Sequence, residues 1–218
     1  MMAQGEALGV LYLAGAGELD MPESRRRFAQ TVAESLALGL ANLRLREALR
    51  SQALRDPLTG LFNRRFMEEA LEREMRRALR RVAPLSVIMM DLDHFKQLND
   101  TLGHDAGDAL LRELGLFLQN HVRAADIACR YGGEEITLIM PDAPLAIARQ
   151  RAEELREGVR RLLIQDRGRT IGPVTVSVGV AAYPEHAASG DTLLRAADLA
   201  LYAAKDAGRD RVCVAGAL

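Results

Sequence analysis

Tryptophan is absent from this 218-residue chain, and aromatic residues make up only 4% of it. Side-chain platforms that stack single-stranded bases are therefore not expected. The net charge is −1, so the protein has no overall field that attracts nucleic acid or anionic lipid. No apolar run approaches the roughly 18 residues that a bilayer span needs. We expect neither nucleic acid nor a membrane as a partner of this chain, and any phosphate must be bound by a local cluster of lysines and arginines.

Cysteine is also scarce, because the chain contains only Cys129 and Cys213, both in apolar, strand-like segments. Two buried, reduced thiols are expected, and the His/Cys spacing typical of zinc sites is missing. With no signal-peptide pattern after Met1, these features predict a cytoplasmic protein. A hydrophobic content of 49% is enough for a packed core, and the length allows one ordinary domain with a smaller appendage.

The first 55 residues form that appendage. Residues 1–21 contain one strand-like stretch, Leu8–Leu13, which cannot bury its own face and predicts either the end of a larger domain or an arm on a partner. Residues 22–55 predict one long helix that begins near Pro22. Along this helix a 4-3-4 spacing predicts a short two-chain coiled-coil seam, and the alternative is an amphipathic helix packed on its own domain. The seam consists of Leu38, Asn42, Leu45 and Leu49.

Residues 56–218 predict the main domain. Its pattern alternates helices and strands around one antiparallel hairpin, which is typical of an α+β sandwich with helices on a central mixed sheet, close to the ferredoxin-like pattern. The predicted helices are 64–81, 105–120, 145–164 and 192–206. The predicted strands are 85–91, 127–131, 136–140, 175–181 and 211–214, and 99–108 is predicted as a loop leading into a helix.

Acidic residues follow two of these strands. Asp91 and Asp93 come directly after the apolar run 85–90, and Glu134 and Glu135 follow the glycine turn 132–133 of the hairpin. If the hairpin pairs beside the strand, three or four carboxylates meet at one edge of the sheet. A Mg²⁺ ion held by a few carboxylates and substrate phosphates is the usual way to neutralise such a group.

Three further patterns have a plain structural interpretation, and the first two also allow a functional one. In the plain interpretation, the polar residues at 99–108 are turn formers and helix caps, and Lys205 and Arg209 are favourable charges at a helix C-terminus. Arg123 and Asp126 are then a surface ion pair. In the functional interpretation, an Asn amide and an Asp carboxylate read guanine, and Lys205 and Arg209 clamp a phosphate.

Taken together, the motifs of residues 56–214 resemble the GGDEF family of diguanylate cyclases. The motifs that carry the resemblance are Asp56-Pro57-Leu58-Thr59-Gly60 and its continuation to 65, then 91–96, 99–100, 103–108, Arg130-Tyr131-Gly132-Gly133-Glu134-Glu135-Ile136, 177–179, and 197–209. The resemblance implies a palm-like fold related to nucleotidyl cyclases. The signature reads GGEEI here, with Glu134 at the third position and Ile136 at the fifth, where we expect a buried hairpin residue. Residues 1–55 resemble the last strand and exit helix of a GAF sensor domain, most of which is absent.

The resemblance also implies roles for individual residues. Asp91, the Leu92 carbonyl and Glu134 would hold one or two Mg²⁺ or Mn²⁺ ions, and Glu135 would assist the metal or help to deprotonate the attacking 3′-hydroxyl. Asn99 and Asp108 would read guanine. The triphosphate would be held by Lys96, Lys205, Arg209 and the backbone amides near His94 and Phe95. Arg123 and Asp126 would form the family's inhibitory site for cyclic di-GMP.

The expected activity is therefore a diguanylate cyclase that condenses two GTP into cyclic di-GMP and two pyrophosphates in a homodimer. One alternative is a non-catalytic GTP or cyclic di-GMP receptor on the same fold, although such members usually lose signature acids that this chain keeps. The other is a template-dependent polymerase, which the near-neutral charge disfavours.

Overall fold

The computed structural model of the protein describes residues 2–3, 6–7, 9–10, 12, 22–166 and 168–216, with the side chains of 2–7, 45–53, 166 and 169 excepted. The chain divides into two compact units, Met1–Ala53 and Leu54–Leu218. None of the described helices is long and apolar enough to cross a membrane. Both thiols are free, with Cys129 buried and Cys213 only partly so.

The first unit contains two short strands and most of a long helix. These are β1 (Met2–Ala3), β2 (Glu6–Ala7) and α1 (Glu23–Leu54). Of the strand predicted over 8–13, the described Gly9, Val10 and Tyr12 are not in a strand, and the other three residues lie outside the described part of the chain. The long helix agrees with the predicted 22–55. Of its predicted seam, Leu38 is 63% exposed and Asn42 is exposed, whereas the side chains of Leu45 and Leu49 lie outside the described residues.

The second unit is an α+β domain in which helices cover both faces of one six-stranded mixed sheet. Its elements are β3 (Phe62–Asn63), α2 (Arg64–Arg81), β4 (Leu85–Leu92), α3 (Phe95–Leu102), α4 (His104–His121), β5 (Ile127–Gly132), β6 (Glu135–Pro141), α5 (Leu145–Arg160), β7 (Ile164–Asp166), β8 (Arg169–Ile171), β9 (Val176–Tyr183), α6 (Gly190–Asp206) and β10 (Val212–Val214). The sheet order is β10-β9-β4-β6-β5-β3, and β7 pairs with β8 in a separate hairpin. The predicted fold class is therefore confirmed.

Strand β4 lies at the centre of the sheet and is buried along its whole length. It pairs antiparallel with β6 on one side and with β9 on the other. Side chains of a strand alternate between the two faces, so β4 contributes to two cores. Val87 and Met89 pack with α2 and α6, whereas Ile88 and Met90 pack with α4 and α5. A continuous apolar run is what a strand covered on both faces requires.

The structure corrects two of the predicted element assignments and adds strands that were not predicted. The segment 99–108 is mostly helical, because α3 includes Asn99 and Asp100 and only Gly103 separates α3 from α4. Helix α5 ends at Arg160 rather than at 164, since Ile164 starts the β7–β8 hairpin. The two-residue strand β3 was not predicted; it pairs parallel with β5.

Candidate active site

The predicted acidic cluster is built on the pairing of β4 with β6. Asp91 lies directly opposite Glu135 in the antiparallel register, so the two side chains share one face of the sheet. That face is the one covered by α6. The hairpin thus lies beside the strand as the sequence predicted, with Ile136 next to the cluster and only 1% exposed.

Glu134 lies in the tight turn that joins β5 to β6. Gly133 has φ +50°, a left-handed conformation that glycine adopts without strain, so the turn can place Glu134 immediately before the paired Glu135. The Arg130 side chain fixes this turn, because its Nε donates a hydrogen bond to the Gly133 carbonyl at 2.9 Å.

Burial and neighbouring charges together set the electrostatics of the cluster. Burial raises the pKa of Asp91, and the charges of Glu134 and Asp93 raise it further, against the opposite effect of Lys205. Burial also raises the pKa of Glu135, and the charges of Asp91 and of the exposed Asp198 on α6 add to this effect. Lys205 provides a direct counter-charge, since its Nζ lies 2.8 Å from Asp91 Oδ2. The cluster therefore has more negative charge than this lysine neutralises.

Asp93 does not join the other acids, although the sequence placed it beside Asp91. Its Oδ1 accepts a hydrogen bond from Ser177 Oγ, and its Oδ2 accepts one from Thr175 Oγ1, both at 2.7 Å. The Asp210 backbone N–H also donates to Oδ2, at 3.1 Å. With its oxygens occupied in this way, Asp93 joins separate segments of the domain.

Asn99 lies on α3, facing α4. Its Oδ1 is buried and lacks a hydrogen-bond partner among the described residues. The two helices approach closely here, because a Cβ added to Gly107 would lie only 2.0 Å from that oxygen. Asp108, the next residue on α4, is about half exposed and lies 3.8 Å from Arg112 in a surface ion pair. The structure therefore brings the two predicted guanine-binding residues to one helix–helix junction.

The N-terminus of α3 lies directly after β4. His94 precedes the helix with φ +59°, and no side chain caps the first-turn N–H groups. Lys96 is exposed in that first turn. Free N–H groups at a helix N-terminus can bind an anion. Arg209 lies on a different segment, three residues after the end of α6, and is also exposed.

Arg123 and Asp126 form a tight turn before β5. Asp126 is 9% exposed, and its Oδ2 accepts a hydrogen bond from the Arg123 backbone N–H at 3.1 Å. Burial raises the pKa of Asp126, while this hydrogen bond and the Arg123 charge oppose the rise. The Arg123 side chain is exposed, and among the described residues its guanidinium has no ion pair with Asp126, so a backbone-capped turn replaces the expected surface ion pair.

One contact at this site was missed by the sequence analysis. Asp56, in the turn that follows α1, receives hydrogen bonds from Arg130 Nη1 on both carboxylate oxygens, each at 3.1 Å. Its Oδ1 also accepts from the backbone N–H and the hydroxyl of Thr59. Arg130 therefore connects the turn after α1 to the glycine turn before Glu134. An acid and a base 74 residues apart in sequence carry no periodic signal that could have indicated the contact.

A separate groove of about 850 Å³ lies between α2 and the start of α6. Its lining includes Met67, Met75 and Leu194 but none of the predicted metal-, guanine- or phosphate-binding residues. Lys205 lies at the opposite end of α6 from this groove, and Arg209 follows that end.

Comparison with known proteins identifies relatives of the second unit. The family described as "Diguanylate cyclase, GGDEF domain" matches residues 53–211. The response regulator PleD of Caulobacter vibrioides is 45% identical over 161 residues, which cover 73% of this chain and 36% of PleD. The diguanylate cyclase VdcA of Vibrio cholerae is 42% identical over 174 residues, covering 78% of this chain and 50% of VdcA. The chain thus spans half or less of the length of these relatives.

Solved structures agree with the fold. The coiled coil and GGDEF domain of DgcB from Caulobacter crescentus, in complex with c-di-GMP, matches with a TM-score of 0.75 and 31% identity over 89% of this chain and 100% of that one. The diguanylate cyclase SiaD of Pseudomonas aeruginosa, in complex with its activator SiaC, matches with a TM-score of 0.73 and 36% identity over 88% of this chain and 74% of that one.

Proposed function

Since the chain belongs to the GGDEF family of diguanylate cyclases, we propose that it condenses two GTP molecules into cyclic di-GMP and two pyrophosphates. The observation that carries the proposal is the pairing of Asp91 with Glu135 beside the turn that holds Glu134. These acids are the ones that a non-catalytic receptor would have no need to keep. The acids repel one another in the ligand-free fold, and a bound cation would offset that repulsion.

The acids fit a hard divalent cation. We assign Asp91, the Leu92 carbonyl and Glu134 as ligands of Mg²⁺ or Mn²⁺, because all three offer oxygen atoms. Among the described residues, no group of three or more acidic, His or Cys side chains is already arranged around a metal position. That agrees with the usual binding of Mg²⁺ by one or two carboxylates together with substrate phosphates. When bound, the cation would lower the pKa of the attacking 3′-hydroxyl and offset charge on the transferred phosphate.

Glu135 would complete the acidic site as a proton acceptor or as a further support for the cation. Its raised pKa favours proton uptake relative to an ordinary glutamate, which suits a group that receives the 3′-hydroxyl proton. Its position opposite Asp91 on a paired strand holds it rigidly.

Asn99 and Asp108 would recognise guanine. The unpartnered Oδ1 of Asn99 supports this role, since a buried acceptor without a partner is rare unless a ligand supplies one. The Asp108 carboxylate can accept from guanine N1–H and N2–H₂, which adenine does not offer. The close approach of Gly107 leaves the space that Asn99 occupies, so a larger residue there would displace the amide.

The triphosphate would be bound from two sides. The first-turn N–H groups of α3, near His94 and Phe95, and the exposed Lys96 form one side, and Lys205 and Arg209 form the other. Neither side needs a global positive charge, in agreement with the net charge of −1.

A single domain has one acidic cluster and one guanine site, whereas the product joins two nucleotides. Catalysis would therefore need two domains facing each other in a homodimer, each presenting its 3′-hydroxyl to the other's α-phosphate. We propose that residues 22–55 link the domains through a coiled coil, with residues 1–21 as the end of a GAF-like sensor. Free thiols and a GTP substrate favour a cytoplasmic location.

Arg123 and Asp126 would bind the product as an inhibitory site. The exposed Arg123 guanidinium can make a planar, bidentate contact with a phosphate or with the O6 and N7 edge of guanine. The DgcB relative was solved in complex with c-di-GMP, which supports a product-binding surface in this family.

The decisive experiment is turnover of GTP with Mg²⁺ by the full chain, with Glu134→Gln as the test and Glu185→Gln, an exposed glutamate after β9, as the control. The wild type and Glu185→Gln should form cyclic di-GMP, and Glu134→Gln should form none while keeping its circular dichroism spectrum. ATP should be a poor substrate. Binding of GTP or cyclic di-GMP by the wild type without turnover would instead favour the receptor alternative.

A further inference from the structure

The two proposed phosphate-binding segments are far apart in sequence but must contact one triphosphate. One is the start of α3 after β4, and the other is the stretch from Lys205 to Arg209 after α6. Their separation must therefore be held constant by other residues. Two charged side chains that have no part in the proposed chemistry, Asp93 and Arg156, lie where they can do this.

Asp93 joins the first segment to the second. It lies next to His94, and its backbone N–H donates to the Thr175 carbonyl at 2.9 Å, which fixes the turn against the start of β9. Its Oδ2 accepts from the Asp210 N–H at 3.1 Å, which fixes the residue directly after Arg209. Asp93 thus joins the two segments, because it directly precedes His94 in the chain and its carboxylate holds the Asp210 backbone N–H.

Arg156 holds Asp210 from the other side. Its Nη1 donates to Asp210 Oδ1 at 2.7 Å, and its side chain is only 14% exposed. Glu153 and Glu157, on the same helix, accept from its other nitrogens. A guanidinium surrounded by three carboxylates is fixed in position, and it therefore anchors Asp210 to α5.

The backbone between these anchors is strained. Arg209 has φ +64° and Asp210 has φ +43°, both in the left-handed region that residues with a Cβ rarely adopt. Such conformations persist where the surroundings impose them. The imposed conformation sets the direction of the Arg209 side chain, since Arg209 lies between the capped end of α6 and the anchored Asp210.

We propose that Arg156, through Asp210, is a positioning residue that holds Arg209 at the separation from the start of α3 that a triphosphate needs, while Asp93 ties Asp210 to the residue before α3. The proposal rests on the proposed function, because it assumes that GTP binds at these segments. Arg156 itself lies on α5 and acts only through Asp210. Its loss should weaken triphosphate binding while leaving base selection at Asn99 and Asp108 intact.

The test is a double-mutant cycle on the full chain, with GTP affinity in Mg²⁺ measured by isothermal titration calorimetry. Arg156→Met should weaken GTP binding by roughly 10- to 100-fold, within the range of coupling between residues of one hydrogen-bond and salt-bridge network. Asp210→Gly should have a similar effect, and since glycine adopts positive φ freely, backbone strain in the variant is not the cause. Arg149→Met, which removes an exposed arginine from the same helix, should bind GTP like the wild type.

The coupling to Arg209 separates positioning from a general loss of structure. If Arg156 acts through Arg209, then Arg156→Met combined with Arg209→Ala should bind GTP within roughly twofold of Arg209→Ala alone. The preference for GTP over ATP should be unchanged in Arg156→Met. Should Arg156→Met prove unfolded by circular dichroism, Asp210→Gly with Arg209→Ala completes the same cycle.

Two results would overturn the proposal in different ways. The positioning role is rejected, and the proposed function stands, if the wild type makes cyclic di-GMP but Arg156→Met binds GTP as tightly as the wild type. The same holds if the losses of GTP affinity in Arg156→Met and Arg209→Ala multiply in the double variant. A wild type that neither binds nor turns over GTP would reject both.

Discussion

Asn99 shows, at the scale of one residue, how a binding group can lower the stability of a protein that lacks its ligand. Its Oδ1 is buried without a partner among the described residues. An acceptor in that state costs roughly 1–3 kcal/mol of folding free energy, because it has lost water and gained nothing in return. A guanine amide or amine group would provide the missing hydrogen bond.

We therefore predict that Asn99→Ala stabilises the ligand-free protein and weakens GTP binding. The free energy of unfolding in urea should rise by about 1 kcal/mol, since the unsatisfied acceptor is removed. Alanine also favours helix, so Asp100→Ala, an exposed change on the same helix, measures that contribution by itself. Equal stabilities of the two variants would show that the Asn99 oxygen carries no penalty.

The meeting of the acids on paired strands was predictable from sequence, whereas their hydrogen-bond partners were not. The spacing of the acids around an apolar run and a glycine turn predicted that Asp91 and Glu135 would meet, and the strand register confirms it. Asp93 was placed with them by the same i, i+2 reasoning, yet the strand ends at Leu92 and its carboxylate turns to Thr175 and Ser177. The orientation of this carboxylate is decided by hydrogen-bond partners more than 80 residues away in sequence, and the local sequence pattern carries no information about them.

At the scale of elements, Arg130 connects the turn after α1, through Asp56, to the glycine turn, through the Gly133 carbonyl. Burial alone would raise the pKa of Asp56, but the hydrogen bonds from Thr59 and the charge of Arg130 outweigh it and hold that pKa below its usual value. A carboxylate with a lowered pKa contributes stability above its ordinary pKa, and the contribution is lost as the pH falls through the lowered value.

Asp56→Asn is accordingly expected to destabilise the protein by about 1–2 kcal/mol at pH 7, because the amide keeps the Thr59 contact but loses the charged contact with Arg130. The difference from wild type should shrink as the pH falls below about 4, where the wild-type carboxylate also becomes neutral. Urea unfolding from pH 7 to pH 3 measures it, with the exposed change Asp100→Asn as control. A pH-independent difference would contradict the electrostatic explanation. Turnover should also fall, since Arg130 holds the Gly133 carbonyl.

Long periodic elements were predictable, and short ones were not. Helix α2 was predicted at its observed bounds because its apolar residues recur at helical spacing over 18 residues. Helix α3 was predicted as a loop, because Asn99 and Asp100 are residues that favour turns when no tertiary contact decides. Strand β3 has two residues and forms through pairing with β5 and a bridge from Phe62 to Arg55. Elements of this size depend on their neighbours, so sequence alone could not reveal them.

At the scale of the whole molecule, the proposed activity depends on two copies of the chain. We predict that Leu45→Asp with Leu49→Asp gives a monomer with much weaker cyclase activity, because charges in the predicted seam oppose burial. Multi-angle light scattering gives the mass. Leu43→Asp serves as the matched control, since Leu43 is 62% exposed and lies outside the seam. An unchanged mass in the double variant would place the dimer contact elsewhere.

The proposed product inhibition also belongs to the scale of the whole molecule. Arg123→Ala should abolish the slowing of GTP turnover by added cyclic di-GMP without changing GTP affinity. The substitution should leave the turn intact, because the hydrogen bond that closes it is donated by the backbone N–H of residue 123 to Asp126, and alanine keeps that N–H. Progress curves with and without added product measure the effect. If the variant slows as the wild type does, the pair serves only to shape the turn.

The contact between Lys205 and Asp91 has a consequence for the order in which the site fills. One ammonium group can neutralise only one anion fully, and we place this lysine at the triphosphate as well. A nucleotide that draws Lys205 away leaves Asp91 without its counter-charge, and the local potential becomes more negative at that moment. By linkage, nucleotide and divalent cation then raise each other's affinity by the same factor. The nucleotide-free protein would thus have a low affinity for a divalent cation alone and a higher affinity for a cation that binds together with the nucleotide.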